Sequence, residues 1–494
     1  MHPLAKLDRA YVWHPFTQMR DWLRREPIII VSGRGAVLRD VYGKEYLDAN
    51  SSIWTNLHGH NHPAINVSIK RQLGKISHSS ALGLANEPAS LLAQQLVGAA
   101  TPHSALSTPQ LAKVFFSDDG STALEVAIKL AYEYTRRLRK TKRTRKAGAK
   151  TKFLSLEGAY HGDTVGAVSM GHINLFHQAY SGLLFKTDKV MSPYCYRCPF
   201  NRAKPERADA RDYRKCNWEC IGKVEQKFAK QKRAGNPYAA FVFEPGIQGA
   251  AGMIPQPATW LNKVAGIARG HGALLIADEV MTGFGRACHV ARRSGQSAHR
   301  GNLFASHDEN VQPDFLCLAK GLTGGYLPMA ATLVNQKVFD AFLGEYGEFK
   351  TFFHGHSFTG NQLGAAASLA SLKILQTEKS AHARQELGET ISEALKPLWQ
   401  LPNVGDIRQV GLVVGIELVK NWRTREPFDL REKAGSRVCE AMSRRGVLTR
   451  PVGNVIVIMP PYCTTALQVE QMLDVLRESI SEVFGSSGMD RTNR

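Results

Sequence analysis

Leu275-Ile276-Ala277-Asp278-Glu279-Val280-Met281-Thr282-Gly283-Phe284-Gly285-Arg286 opens as a short apolar run, ends in two carboxylates and breaks into glycine-punctuated chain. An apolar run of this length, bounded by polar residues and glycine, has the signature of a strand buried on both faces. Working outward, the signature recurs at Lys113-Val114-Phe115-Phe116, Lys152-Phe153-Leu154-Ser155-Leu156, Ala240-Phe241-Val242-Phe243 and Phe315-Leu316-Cys317-Leu318, with helical patterns between. That alternation predicts right-handed βαβ units, an α/β domain, and ligands beyond the carboxyl ends of its strands. The large domain is expected over 61–375, with a Cys-containing insertion at about 192–222 and a loop insertion at about 287–303. Residues 1–60 read as an N-terminal segment in which Ile28–Val31 and Ala36–Asp40 flank a turn at Ser32-Gly33-Arg34-Gly35. Residues 376–494, with a strand candidate at Val410–Leu418, read as a smaller α+β domain.

The chain has 494 residues, 43% of them hydrophobic and 21% charged, which is enough apolar side chain for a core and excludes disorder as the main state. No stretch approaches the roughly 18 consecutive apolar residues of a membrane helix, so no membrane partner is expected. The first residues lack the apolar core of a signal peptide, and eight cysteines in so long a chain fit reduced thiols, so a cytoplasmic location is expected. The formal net charge of +20 raises the question of nucleic acid. Much of the excess sits in one run, Arg136 to Lys146, which carries no aromatic residue on which a base could stack. It reads as a solvated helix end and loop, and no nucleic-acid partner is expected.

Three motifs carry chemistry. Ser117-Asp118-Asp119-Gly120-Ser121-Thr122 follows a strand and opens a helix. A helix N-terminus offers free N–H groups and a positive dipole end to a phosphate. Gly120 permits close backbone approach and Ser121 adds a hydroxyl; read alone, the motif is first of all an N-cap. Asp278 ends a buried strand, where a carboxylate costs desolvation energy unless it is paired, and a protonated pyridine nitrogen is a suitable partner. Lys320 follows Phe315–Leu318 beside Gly321, Gly324 and Gly325, and a desolvated lysine has a lowered pKa and forms Schiff bases. A phosphate cradle, a carboxylate for a ring nitrogen and an imine-forming amine are together the handles for pyridoxal 5′-phosphate.

With Asp278-Glu279-Val280, Gly283-Phe284-Gly285, Pro313-Asp314 and Ala319-Lys320-Gly321 in view, the chain resembles the class III aminotransferases of fold type I, which use pyridoxal phosphate. Trp13–Met19, Ser51–Trp54, Leu57–His60, Tyr160–Thr164, Gln248–Met253, Phe353–Asn361, Thr449-Arg450-Pro451 and Met459–Tyr462 are similar to a narrower branch. That branch converts 8-amino-7-oxononanoate to 7,8-diaminononanoate in biotin synthesis. The resemblance implies a large domain with a mainly parallel seven-stranded sheet between helices, and a smaller α+β domain built from the N- and C-terminal segments. It also implies a homodimer with shared active sites, acting on a small-molecule amino donor and a keto acceptor.

The resemblance further implies roles by position. Lys320 binds the cofactor and moves the proton, and Asp278 pairs with the pyridinium nitrogen. Gly120 and Ser121 bind the phosphate, and His356 and Ser357 complete that site from the partner subunit. Tyr160 stacks on the ring, Gln248 and Val280 contact the ring oxygen and ring face, and Asp163 supports the site from behind. Phe16, Ile53, Trp54 and Gly355 line the substrate pocket with Tyr160 and Lys320, and Arg450 binds the substrate carboxylate, a task suited to a planar guanidinium. S-adenosylmethionine-using members usually carry Tyr in place of Phe16 and a paired Trp in place of Ile53-Trp54. The Phe and the single Trp look like the lysine-using branch, so the sequence leaves both donors open. Another class III enzyme, of the 4-aminobutyrate or ornithine type, is the alternative, and Trp13–Met19 and Arg450-Pro451 speak against it. Separately, Cys195, Cys198, Cys216 and Cys220 are spaced like ligands of a structural zinc ion or iron–sulfur cluster, or are four reduced thiols in a surface insertion.

Overall fold

The computed structural model describes residues 1–101, 110–141, 151–288 and 302–485. Near the N-terminus, β1 (Ile30–Arg34), β2 (Val37–Asp40) and β3 (Glu45–Asp48) form an antiparallel meander. β1 runs through much of the expected turn. The loop is only Gly35-Ala36, because Gly35 takes φ +58° and closes the hairpin in two residues.

The large sheet contains β4 (Leu111–Ser117), β5 (Phe153–Leu156), β6 (Asp188–Val190) and β7 (Ala240–Phe243). A short hairpin, β8 (Ile247–Gln248) and β9 (Ile254–Pro255), precedes β10 (Leu274–Asp278), β11 (Phe315–Leu318) and β12 (Ala330–Asn335). The strand order is β4-β12-β11-β10-β7-β5-β6. Neighbours from β11 to β6 are parallel, and only β12 runs against the rest, so the seven strands are mainly parallel, as expected. Side-chain alternation explains why the strands read as continuous apolar runs. Phe241, Phe243, Leu275, Ala277, Leu316 and Leu318 bury on one face. Ala240, Val242, Ile276, Phe315 and Cys317 bury on the other, against Ala123, Val126, Ala127 and Leu130 of the helix Gly120–Thr141. Each large aliphatic or aromatic side chain so buried contributes about 1.5–3 kcal/mol.

After the helices Gln362–Leu375 and Glu378–Leu395 come β13 (Val404–Val410), β14 (Val413–Asn421) and β15 (Glu426–Pro427). β16 (Val447–Leu448), β17 (Pro451–Val452) and β18 (Val455–Ile458) follow. The strand expected at Val410–Leu418 is broken by a turn at Gly411, whose φ is +57°. A Cβ at Gly411 would stand 2.6 Å from the Arg286 carbonyl. β16 pairs in parallel with β3, so the two ends of the chain share a sheet. Arg408 is fully buried between Asp406 (2.9 Å) and Glu417 (2.7 Å), and Arg197 Nε donates to Glu417 at 2.7 Å, which ties the Cys-containing insertion to β14. Arg136 and Arg137 pair with Glu133 on their own helix, while residues 142–146 of the basic run and 289–301 of the loop insertion lie outside the described residues. Among the described residues no helix is long and apolar enough to cross a membrane.

Candidate active site

Three chain reversals at the carboxyl ends of β4, β10 and β11 build the site. After β4, Asp119 Oδ1 accepts the Thr122 N–H at 2.9 Å and caps the helix Gly120–Thr141. Gly120 faces Val280 so closely that a Cβ would stand 2.7 Å from its Cγ1. Only glycine leaves that turn open. Gly162, at φ +118°, carries the loop after β5 against Ser121, where the Asp163 N–H donates to Ser121 Oγ at 3.3 Å.

Asp278 is 4% exposed at the end of β10. One carboxylate oxygen lies 2.7 Å from His161 Nδ1, and the other accepts the Val280 N–H at 3.0 Å. Glu244, at the end of β7, is the neighbour that sequence reading missed. Its oxygens accept the Tyr160 N–H at 3.3 Å and the Gly249 N–H at 2.8 Å, and burial pushes its pKa up to about 7. The signal was present in Phe243-Glu244-Pro245, an acid closing an apolar run just as Asp278 does.

Lys320 sits just past β11 in a left-handed conformation, φ 42°. Burial lowers its pKa, while the charges of Asp278 and Glu244 raise it again, so all three groups feel one another. Its Nζ lies 4.8 Å from the centroid of the Trp54 ring. Trp54 Nε1 and Gln248 Oε1 are buried without a partner, although Gln248 Nε2 donates to the Glu157 carbonyl at 3.2 Å. Tyr160 donates from its hydroxyl to Asp163 at 2.7 Å and stacks on His177. Burial first, and then Asp163, raise the Tyr160 pKa, so the phenol keeps its proton.

Other expected residues lie further out. His356 Nδ1 is 3.2 Å from Asp118 of the same chain, beside the cradle, whereas Gly355 and Ser357 are exposed. Phe16 and Ile53 are exposed, and Phe16 meets Phe176 edge-on at 5.3 Å. Arg450 Nη2 donates to the Phe16 carbonyl at 2.8 Å, which joins the carboxylate-binding candidate to the N-terminal segment.

The four cysteines of the insertion meet at one place. The thiols of Cys195, Cys198, Cys216 and Cys220 line one small cavity with Arg214 and Trp218, and all are free. Yet among the described residues no group of three or more His, Cys, Asp or Glu is arranged to hold a metal ion. Arg214 Nη1 donates to Cys216 Sγ at 3.2 Å, which places a cation at the thiols. Burial pushes Cys195 up to about 12 and Cys220 up to about 11 in the metal-free chain.

Residues 19–480 match the family described as aminotransferase class III. The chain belongs to that family. A Geobacter sulfurreducens relative, an adenosylmethionine-8-amino-7-oxononanoate aminotransferase, is 44% identical, with 98% of each chain covered. A crystal structure of the enzyme of that name from Methanocaldococcus jannaschii is similar, with TM-score 0.84, 40% identity, and 97% of this chain and 98% of that one covered. An amine transaminase from an uncultivated Pseudomonas species, solved in its PLP-bound form, aligns with TM-score 0.82 and 32% identity over 96% of this chain and 98% of that one. The cofactor of this class III aminotransferase is pyridoxal 5′-phosphate. The residues fit it: the Gly120 turn is closed to any side chain, Trp54 Nε1 is buried without a partner beside Lys320, and so is Gln248 Oε1 elsewhere in the interior.

Proposed function

We propose that this chain transfers an amino group to 8-amino-7-oxononanoate, giving 7,8-diaminononanoate for biotin synthesis, with S-adenosylmethionine or L-lysine as donor. The observation that carries the chemistry is the meeting of the Lys320 amine with Asp278 and Glu244 at the carboxyl ends of neighbouring parallel strands. The names of the near-full-length relatives support the substrate.

Pyridoxal phosphate, when bound, supplies an aldehyde for amine exchange and an electron-withdrawing ring. The Gly120 and Ser121 N–H groups and the Ser121 hydroxyl would hold the phosphate at the helix N-terminus. Asp278, oriented by His161 and the Val280 N–H, would keep a proton on the ring nitrogen through its carboxylate. Val280 and Tyr160 would flank the ring and Gln248 would reach its oxygen, while Asp163 fixes the Tyr160 hydroxyl. Lys320 Nζ takes the proton from the donor's Cα and returns one to the acceptor carbon. Arg450 receives the substrate carboxylate at the Phe16 end of the pocket, where Phe16, Ile53, Trp54 and Gly355 select the donor.

A homodimer belongs to the same reading. Phe353 and Phe358, 76% and 60% exposed, flank His356 and Ser357, as apolar residues at a subunit interface would. His356 and Ser357 then complete the phosphate site of the partner. A cytoplasmic location fits the free thiols.

The test is a pair of half-reactions on the loaded enzyme, one with S-adenosylmethionine and one with L-lysine, followed by absorbance in the visible. The true donor bleaches the band, and 8-amino-7-oxononanoate restores it with 7,8-diaminononanoate detected by mass. Lys320→Ala is expected to lower turnover by about 10²–10⁴-fold or more with the fold intact. Retained turnover removes Lys320 from its role, and conversion of 4-aminobutyrate or ornithine in place of both donors replaces the substrate assignment.

A further inference from the structure

Between β3 and the helix Pro63–Leu73 the chain passes through four consecutive left-handed residues, with φ of 46° at Ser51, 47° at Ser52, 64° at Ile53 and 68° at Trp54. None is glycine, and Ile53 is β-branched, the residue type for which this conformation is a genuine outlier. Such a segment persists only where its surroundings over-determine it.

Asp48, 2% exposed at the end of β3, supplies most of that determination. Its Oδ1 accepts the N–H groups of Asn50 at 3.2 Å and Ser52 at 3.1 Å. Its Oδ2 accepts the Ser52 hydroxyl at 3.0 Å and lies 2.9 Å from His60 Nε2. The Asn56 amide donates to His60 Nδ1 at 2.9 Å, so the His60 proton is assigned to Nε2 and points at Asp48. Ser51 Oγ donates to the Met459 carbonyl at 2.7 Å and pins the start of the turn from the C-terminal segment.

The turn delivers the Trp54 ring to Lys320 Nζ, 4.8 Å from its centroid, and packs the indole against the apolar cluster of Ile247, Met253 and Met281. A right-handed or extended path from Asn50 would send that side chain elsewhere.

We infer that Asp48 is a positioning residue for amino transfer: through Ser52 and His60 it holds the strained turn that sets the Trp54 indole over the reacting amine. The inference rests on Lys320 being that amine. Asp48 touches neither substrate nor cofactor, and its carboxylate acts only through the turn.

Three variants test it: Asp48→Ala, Asp48→Asn and the double variant Asp48→Ala with Ser52→Gly. In the loaded enzyme, Asp48→Ala is expected to slow the first half-reaction at saturating donor by about 10–100-fold, the cost of a misplaced group near the reacting atoms. Asp48→Asn keeps an acceptor for the backbone N–H groups and stays within about tenfold of the parent. The glycine of the double variant removes the penalty of the left-handed position and recovers at least about threefold over Asp48→Ala.

The second measurement needs no cofactor: emission of the cofactor-free protein, taken as the difference from its Trp54→Phe counterpart, shifts to the red in Asp48→Ala and not in Asp48→Asn. A parental half-reaction rate in Asp48→Ala overturns the inference. So does a rate that falls only in step with the folded fraction while the Trp54 emission stays put. Turnover by Lys320→Ala would instead overturn the role of the amine, and the Trp54 emission of Asp48→Ala would still report on the turn.

Discussion

Asp278 is a buried carboxylate held in one orientation by two donors, His161 and the Val280 N–H. An anion so placed is there to meet a positive charge. Asp278→Asn preserves shape and removes the charge, so turnover is expected to fall by about 10²–10³-fold with little change in thermal midpoint. Steady-state rates beside a melting curve check this, and a variant within a few-fold of the parent excludes the charge from the reaction. At this scale the chemistry was legible wherever a polar residue interrupts an apolar run, as Asp278 and Lys320 do. Glu244 carried the same mark. His161 could not be read as the partner of Asp278, because 117 residues separate them. The left-handed turn at Ser51–Trp54 carried no mark either, since such backbone is ordinarily announced by glycine or asparagine. The spacing of the four cysteines says nothing of the Arg214 guanidinium that points at Cys216.

The helix Gln362–Leu375 packs beneath the segment that follows the turn, and there Ser371 Oγ lies 2.9 Å from His58 Nε2. His58 is held neutral: burial first, then the charges of His62, Arg286 and Arg384, push its pKa from 6.5 down to about 3. Between those values the unfolded chain binds the extra proton. The stability His58 contributes is therefore complete above about pH 6.5 and is lost progressively as pH falls toward 3. His58→Gln keeps an amide for Ser371 and cannot titrate, so its thermal midpoint is expected to gain on the parent as pH drops from about 7 to 4. Parallel midpoint curves would show that His58 titrates alike in the folded and unfolded chain. Elements were legible in proportion to their apolar length. β4, β5, β7, β10 and β11 stood out in the sequence. β6, three residues long, and β12, which opens Ala330-Ala331-Thr332, did not.

At the scale of the molecule, the proposed sharing of active sites between two subunits makes a prediction about mixtures. Lys320→Ala disables a site from within, and Ser357→Asp sets a carboxylate against the phosphate of whichever site Ser357 serves. If that site is the partner's, a heterodimer of the two variants holds one site with both lesions and one with neither. Co-expression in equal amounts is then expected to return about a quarter of parental activity from two inactive proteins, a consequence of two-fold symmetry. No recovery would place Ser357 in the site of its own subunit, beside the Asp118–His356 contact.

The pairing of β16 with β3, and of Ser51 with Met459, also bears on how the enzyme is made. Ser51 leaves the ribosome 408 residues ahead of the carbonyl that anchors it, and β3 waits nearly as long for Val447 and Leu448. The pocket is therefore among the last regions of the nascent chain to mature, and a polypeptide stalled before position 447 carries Lys320 and Asp278 already synthesised yet has no wall of indole to set against them.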